Sequence, residues 1–359
     1  MSGVPTDRSN PPRVVVLGGS GFIGGHVCAA FRRGDYDVLS IARRPAPTAR
    51  SLALDIAAAT PAALLDTMTA VGPVIVVNAV GAVWSGDDDR MTRLNTDLVE
   101  RLLDVVEQLE HRPRFVHVGS VHEYGAPNGG ILTEDGPALP TTVYGSTKLH
   151  GSEAVLKATA AGRVDGVALR VSNALGAGMP GNSLPGTVAR QLADARRTGT
   201  PATLRLSPLI AERDFVDVRD VADAVVLAGH RPVSDRLINI AVGTAVPVRT
   251  VVELLIGMSG IDAQVLESAG PRGSQASRGG LGGCQQVSVE RAATLLGWRP
   301  QHSLRDALRE VLSSAGAAPK RRASNPAPQV FEGLASGWAE TTPGDRARAS
   351  ARLSEELQT

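Results

Sequence analysis

The sequence of 359 residues predicts an α/β fold: a doubly wound parallel sheet and a smaller C-terminal α/β lobe. Three observations predict it. Short β-rich runs alternate with amphipathic stretches through the first half, the pattern of a parallel sheet covered by helices on both faces. The first of these runs leads straight into a glycine-rich turn and a helical stretch. Past Gly176 the alternation breaks into shorter pieces punctuated by Gly and Pro, which indicates a second, less regular lobe.

The elements follow in order. Residues 1–12 have no apolar segment and read as a disordered tail. Val14–Leu17, Val38–Ile41, Val74–Val80, Phe115–Val118 and Val167–Val171 are apolar at nearly every position, as strands buried on both faces must be. Thr92–Glu110 has the periodicity of an amphipathic crossover helix, and further helices are expected near Thr187–Arg197, Val218–Ala228, Thr250–Met258 and Leu304–Ser313. The expected nucleotide-binding domain spans 13–175 with a late contribution from about 214–241, and the expected substrate domain spans 176–213 and 242–315. From 316 to 359 the composition turns to Ala, Pro, Arg, Ser and Thr, and disorder is expected there too.

Composition narrows the function classes. The chain is 43% apolar and 20% charged with a net charge of +1, so no large field is present to attract nucleic acid or an anionic membrane. No uncharged apolar run approaches the roughly 18 residues of a membrane span, and the N-terminus lacks the apolar core of a secretion signal; a cytoplasmic location is expected. Cys28 and Cys284 fall in distant segments and are expected as reduced thiols, and no His or Cys spacing fits a metal site.

Arg13-Val-Val-Val-Leu-Gly-Gly-Ser-Gly-Phe-Ile-Gly24 is a strand running into a GxxGxxG turn and a helix. In that context Gly18 permits the tight turn, Gly21 the approach of backbone to a pyrophosphate, and Gly24 the close packing of helix on strand. Ser20, Phe22 and Ile23 complete the helix start, whose free N–H groups suit phosphate. This is the fingerprint of a Rossmann-type dinucleotide site. At the end of the second strand, Ala42 stands where a carboxylate would take the ribose hydroxyls of NAD, and Arg43 and Arg44 follow it. A guanidinium fork suits a 2′-phosphate, so NADP(H) is the expected cofactor, with NAD(H) the alternative if these arginines are only solvated charge. Asp55 and Ile56 are expected at the adenine edge, with Ala79, Val80 and Gly81 passing beneath the dinucleotide.

Tyr144-Gly-Ser-Thr-Lys148 places a phenol and an ammonium one helical turn apart. A phenol titrates near 10, and its use at neutral pH needs a downward shift of roughly 3 units, about 4 kcal/mol. An ammonium about 4 Å away at an effective dielectric near 20 supplies about that much.

Several motifs occur together: the glycine loop, Asn95, His117-Val-Gly-Ser120-Val-His-Glu-Tyr-Gly125, Tyr144 to Lys148, Leu169-Arg-Val-Ser-Asn173, Arg213-Asp-Phe-Val-Asp-Val-Arg-Asp220 and Leu296-Gly-Trp298-Arg-Pro300. With them, residues 13–314 resemble the extended short-chain dehydrogenase/reductase family, in its nucleotide-sugar branch of epimerases, dehydratases and ketoreductases. The resemblance implies that Ser120 holds a substrate carbonyl, that Tyr144 exchanges a proton with its oxygen, and that Lys148 lowers the phenol and bonds the nicotinamide ribose. It also places Asn95 in the cofactor site and Asn173, Arg213 and Arg278 (with Arg272 as rival) on the donor diphosphate or sugar. Arg213 could instead pair with Asp217 or Asp220, and His122 could either touch substrate or pack at the strand end.

Family dehydratases carry an Asp-Glu pair after the Ser/Thr, and Val121-His122 stands here, so elimination is not expected. Arg43-Arg44 favours a reductase that exchanges NADPH at each turnover, and the Arg213–Asp220 segment is similar to that of GDP-4-keto-6-deoxymannose reductases. The expected activity is therefore NADPH-dependent reduction of a keto group, at C4 of a nucleotide-activated deoxysugar. The alternatives are a nucleotide-sugar epimerase with tightly bound NAD(P) and a non-catalytic dinucleotide sensor. The expected partners are the small-molecule substrate and, as in relatives, a second copy in a homodimer, with neither nucleic acid nor membrane.

Overall fold

The structure, a computed structural model of the chain, describes residues 11–44, 50–83, 87–126, 130–233, 236–268 and 283–318. Arg272, Arg278, most of the Gly270–Gly283 stretch, Trp84 and nearly all of both expected tails lie outside the described residues.

The first half runs β1 (Arg13–Leu17), α1 (Phe22–Arg33), β2 (Asp37–Ala42), β3 (Ser51–Ala53), α2 (Pro61–Val71), β4 (Ile75–Asn78), α3 (Asp88–Thr92), α4 (Leu98–Glu107) and β5 (Arg114–Ser120). After β5 come a 3-10 turn at Val121–Tyr124, β6 (Ile131–Leu132), α5 (Val143–Ala160), β7 (Asp165–Val171), β8 (Asn173–Leu175), α6 (Leu184–Thr198) and β9 (Ala202–Leu206). The remainder holds β10 (Glu212–Asp217), α7 (Val218–His230), β11 (Arg236–Ile240), β12 (Ala245–Pro247), α8 (Val248–Ser259), β13 (Ala263–Glu267), β14 (Cys284–Val287) and α9 (Leu304–Ala315).

Seven strands form one parallel sheet in the order β11-β7-β5-β4-β1-β2-β3. The apolar runs are continuous because both faces are covered. Val14 and Val16 of β1 pack with Val77 and Val116 against Phe31 of α1 and Val225 of α7. Val15 and Leu17 turn the other way, onto Leu64, Leu98, Leu102 and Val155 from α2, α4 and α5. The chain leaves β1 toward β2 and β3 on one side and returns through β4 to β5 on the other. This reversal opens a crevice at the C-terminal ends of β1 and β4, where α/β sheets place their ligands.

Two expected elements come out differently. Val74 is 48% exposed and precedes β4, and the strand stops at Asn78 because the Asn78 side chain turns back to accept a hydrogen bond from the Val80 amide at 3.1 Å. The expected crossover Thr92–Glu110 starts earlier, at Asp88, and is interrupted by a π-helical turn at Arg93–Asp97. The interruption lies where α5 comes closest: a Cβ at Gly151 would overlap the Asn95 carbonyl oxygen.

A second core gathers Val188 and Leu192 of α6, Val251 and Leu255 of α8, and Leu308 and Val311 of α9. It continues to Ala317, which is fully buried, past the expected boundary at 316. The motif Arg213–Asp220 joins this lobe to the large sheet through its acids. Asp214, fully buried, accepts the amides of Val242 and Gly243 at 2.8 Å each. Asp217 caps α7 and pairs with Arg219, and Asp220 holds His302 at 2.7 Å while its carbonyl takes the Trp298 indole at 3.0 Å. The Leu296–Pro300 motif is thus a packing device beneath α7.

Candidate active site

At the head of the crevice the loop Gly18–Gly24 is shaped by what it lacks. Gly18 has φ +78°, and a Cβ there would sit 2.9 Å from the Ala79 carbonyl oxygen, so β1 and β4 can converge only on a glycine. A Cβ at Gly24 would overlap the Gly18 carbonyl oxygen, which lets α1 start directly on the turn. No side chain caps α1, its first turn holds no acid, and Ser20 and Gly21 are exposed at its start, with Phe22 and Ile23 half-buried behind them. These features fit a dinucleotide pyrophosphate: a close backbone approach, uncapped N–H groups and the positive end of a helix dipole.

The other expected cofactor residues take the following places. Ala42 is buried at the end of β2 and Arg43 and Arg44 follow it, both exposed. Asp55 is exposed, its carboxylate accepting the Ala57 amide at 3.1 Å; the Ile56 side chain is in the core and its carbonyl takes Arg101 at 3.0 Å. Ala79 and Val80 lie under Gly18. Asn95, fully buried, spends its amide on the protein: it clasps the backbone of Ala82 in both directions (3.0 and 3.1 Å) and donates to Thr147 at 3.1 Å. It fixes the course of Ala79–Ala82 across the floor, with Gly81 between it and Lys148: a Cβ there would lie 3.3 Å from Asn95 Oδ1 and 3.4 Å from Lys148 Nζ.

The structure brings Ser120, Tyr144 and Lys148 together at the end of β5. Ser120 ends that strand, 5% exposed, and its hydroxyl hydrogen-bonds the Tyr144 phenol. Thr142 caps α5 through the Gly145 amide at 3.0 Å, which starts the helix just before the tyrosine. Burial pushes the phenol up to about 12; the Ser120 hydrogen bond opposes this and the charge of Glu123 adds to it. The expected lowering by Lys148 does not occur in this arrangement. Its Nζ donates to the Val118 carbonyl oxygen at 2.7 Å, and desolvation of the phenol dominates. Burial also lowers the lysine, to about 8, with Glu123 holding it up.

Next to the phenol, the His122 ring meets the Tyr144 ring edge-on with centroids 5.6 Å apart. Burial, and after it the charge of Arg213, lowers its imidazole to about 4, so it is neutral at neutral pH. Arg213 therefore lies within electrostatic reach of His122. It pairs with neither Asp217 nor Asp220, which have Arg219 and His302 as partners, and its Nη1 donates to the carbonyls of Glu212 and Gly283 at 2.8 and 2.9 Å. Asn173, at the start of β8, gives its amide to the Asp214 carbonyl at 2.8 Å and to Gln285 at 3.3 Å, tying this wall to β10 and β14. Arg278 lies outside the described residues.

Sequence reasoning missed Glu123 and Arg170. They lie in the motifs around Ser120 and Asn173, but nothing in their spacing signals a pair: the turn after β5 and β7 bring them to 2.7 Å, with side chains 0% and 4% exposed.

Residues 14–241 match the NAD dependent epimerase/dehydratase family. The chain belongs to that family, within the extended short-chain dehydrogenase/reductase branch of NAD(P)-dependent oxidoreductases and epimerases. Among its relatives, dTDP-6-deoxy-L-talose 4-dehydrogenase (NAD(P)(+)) of Kitasatospora kifunensis is 42% identical over 314 residues, 86% of this chain and 97% of the relative. UDP-glucose 4-epimerase of Azospirillum brasilense is 31% identical, over 84% of this chain and 91% of its own. The solved structure of MoeE5 in complex with UDP-glucose and NAD has a TM-score of 0.72 at 25% identity, over 84% of this chain and 98% of that one. Among the described residues, no helix is long and apolar enough to cross a membrane.

Proposed function

We propose that the chain is an NADPH-dependent ketoreductase acting at C4 of a nucleotide-activated 6-deoxysugar. The observation that carries this is the buried Tyr144 phenol, at about 12, hydrogen-bonded to Ser120. Such a phenol is a proton donor at neutral pH, which is what reduction of a ketone consumes.

When bound, the dinucleotide supplies the hydride to the carbonyl carbon. Gly18, Ser20, Gly21 and Gly24 hold its pyrophosphate, Arg43 and Arg44 its 2′-phosphate, and Ala79 to Gly81 its underside. Ser120 and Tyr144 donate to the carbonyl oxygen, so charge that develops there meets two preorganised donors, and the Tyr144 proton then moves to it. Lys148, cationic below about pH 8, faces Gly81 of the floor, where it would bond the nicotinamide ribose. Arg213 takes the diphosphate end, Arg278 is the further cation the sequence offers for the same charge, and Asn173, whose amide N–H groups are held by Asp214 and Gln285, leaves its Oδ1 for a sugar hydroxyl. Neutral His122 forms the wall between that end and Tyr144.

The substrate class rests on the 42% identical relative, a 4-dehydrogenase of a dTDP-bound 6-deoxysugar. The test is turnover with a nucleotide 4-keto-6-deoxysugar: NADPH oxidised in step with substrate supports the reading. A change of sugar configuration with no net coenzyme consumption would identify an epimerase instead.

A further inference from the structure

Beneath Ser120 one carboxylate joins all the elements that place the catalytic groups. Glu123 Oε1 accepts the Ser120 amide at 2.8 Å and the Ser152 hydroxyl at 2.9 Å, and Oε2 accepts Arg170 Nε at 2.7 Å. Ser120 ends β5, Ser152 is on α5 and Arg170 is on β7. Ser152 follows Lys148 by one helical turn and Tyr144 by two, so the three lie on one stripe of α5 facing the end of β5.

The surroundings are made for this group. A Cβ at Gly119 would lie 2.5 Å from Glu123 Oε1 and 2.8 Å from Ser152 Oγ, so the carboxylate fits only beside a glycine. The Arg170 guanidinium lies 4.3 Å from the centre of the Tyr124 ring, and the Tyr124 hydroxyl donates to Asn239 of β11 at 2.8 Å. Burial raises the Glu123 carboxyl, and the Arg170 guanidinium opposes this most strongly, with the Ser120 amide and the Ser152 hydroxyl after it; Arg170 is a cation that can only donate, so the pair holds the carboxylate as a buried anion.

We propose that Glu123, backed by Arg170, is the positioning residue of the catalytic centre: it locks the Ser120 backbone to the catalytic stripe of α5 and turns its negative charge toward Tyr144 and Lys148. The inference rests on the catalytic reading of those two residues. The charge acts in one direction on both, favouring the protonated phenol and the cationic lysine. With Glu123 neutralised, the lysine loses its proton at lower pH.

The test compares the pH dependence of kcat for NADPH-dependent reduction in the wild type, Glu123→Gln, the double variant Glu123→Gln with Arg170→Gln, and Tyr144→Phe. The wild-type profile should fall on the alkaline side near pH 8, where Lys148 titrates. In Glu123→Gln this limb should move to lower pH, and kcat at its optimum should drop about tenfold as Ser120 loses its fixed register. The double variant, which leaves no unpaired buried charge, should show the same displaced limb and keeps the test open if the single variant does not fold. A limb that stays in place in whichever of these variants folds, with only the melting temperature reduced, overturns the inference and makes the pair purely structural. If Tyr144→Phe keeps wild-type turnover, the catalytic reading itself is at fault. An inactive Tyr144→Phe beside an unmoved limb refutes the Glu123 role alone.

Discussion

Gly18 and Gly24 shape one side of the crevice by having no side chain, whereas Ser120, Tyr144 and Lys148 shape the other through side chains whose polar atoms each have a buried partner. The two sides are built at the same edge of one sheet. On the glycine side, steric necessity decides: β1, α1 and the start of the Ala79 loop meet at distances that exclude a methyl group. On the catalytic side, desolvation decides: burial raises Tyr144 and lowers Lys148, and Glu123 acts on both. The first side should therefore fail by losing its ligand or its fold, and the second by losing chemistry while keeping both.

Four substitutions can break that comparison, from the largest effect down. Tyr144→Phe should lower kcat about 10³-fold, read in steady-state assays, with NADPH affinity by fluorescence titration nearly unchanged. Gly24→Val should destabilise the protein by about 2 kcal/mol or more and abolish dinucleotide binding, read by thermal melting with and without NADPH. Normal binding in that variant would mean the helix start is not the pyrophosphate site. Arg213→Ala should raise KM for the sugar nucleotide about 30-fold, equivalent to about 2 kcal/mol, with NADPH affinity unaltered. Replacing Arg43 and Arg44 together by Ala should weaken NADPH about tenfold and leave NADH almost unchanged, because both side chains are exposed and water weakens their contact. Equal losses for the two coenzymes would contradict 2′-phosphate recognition.

The same contrast accounts for what could be read in advance. Steric requirements leave a residue-type signature: only glycine serves at Gly18 and Gly24, and strands covered on both faces must be apolar throughout. The parallel sheet, the glycine loop and the Tyr144–Lys148 turn were legible for that reason. The Glu123–Arg170 pair was not, because a Glu in the turn after β5 and an Arg on β7 carry no shared periodicity and meet only through the register of β5 on β7. Asp217 and Asp220 were weighed only as partners of Arg213; with Asp214 they hold instead the start of α7 and Arg219, His302, and the amides of Val242 and Gly243. The Tyr144 environment was misjudged in sign. Spacing gives the nearness of a lysine, but the cost of burying a phenol appears only when α5 is packed on β5.

The central claim is that Tyr144 donates a proton to a carbonyl reduced by NADPH. It is tested most directly by following nicotinamide absorbance while purified protein is mixed with NADPH and a nucleotide 4-keto-6-deoxysugar, with the sugar product analysed in parallel. One NADPH should be oxidised for each C4 hydroxyl formed, with no oxidation by Tyr144→Phe. Conversion of the sugar at constant absorbance, or full activity without the phenol, would contradict it.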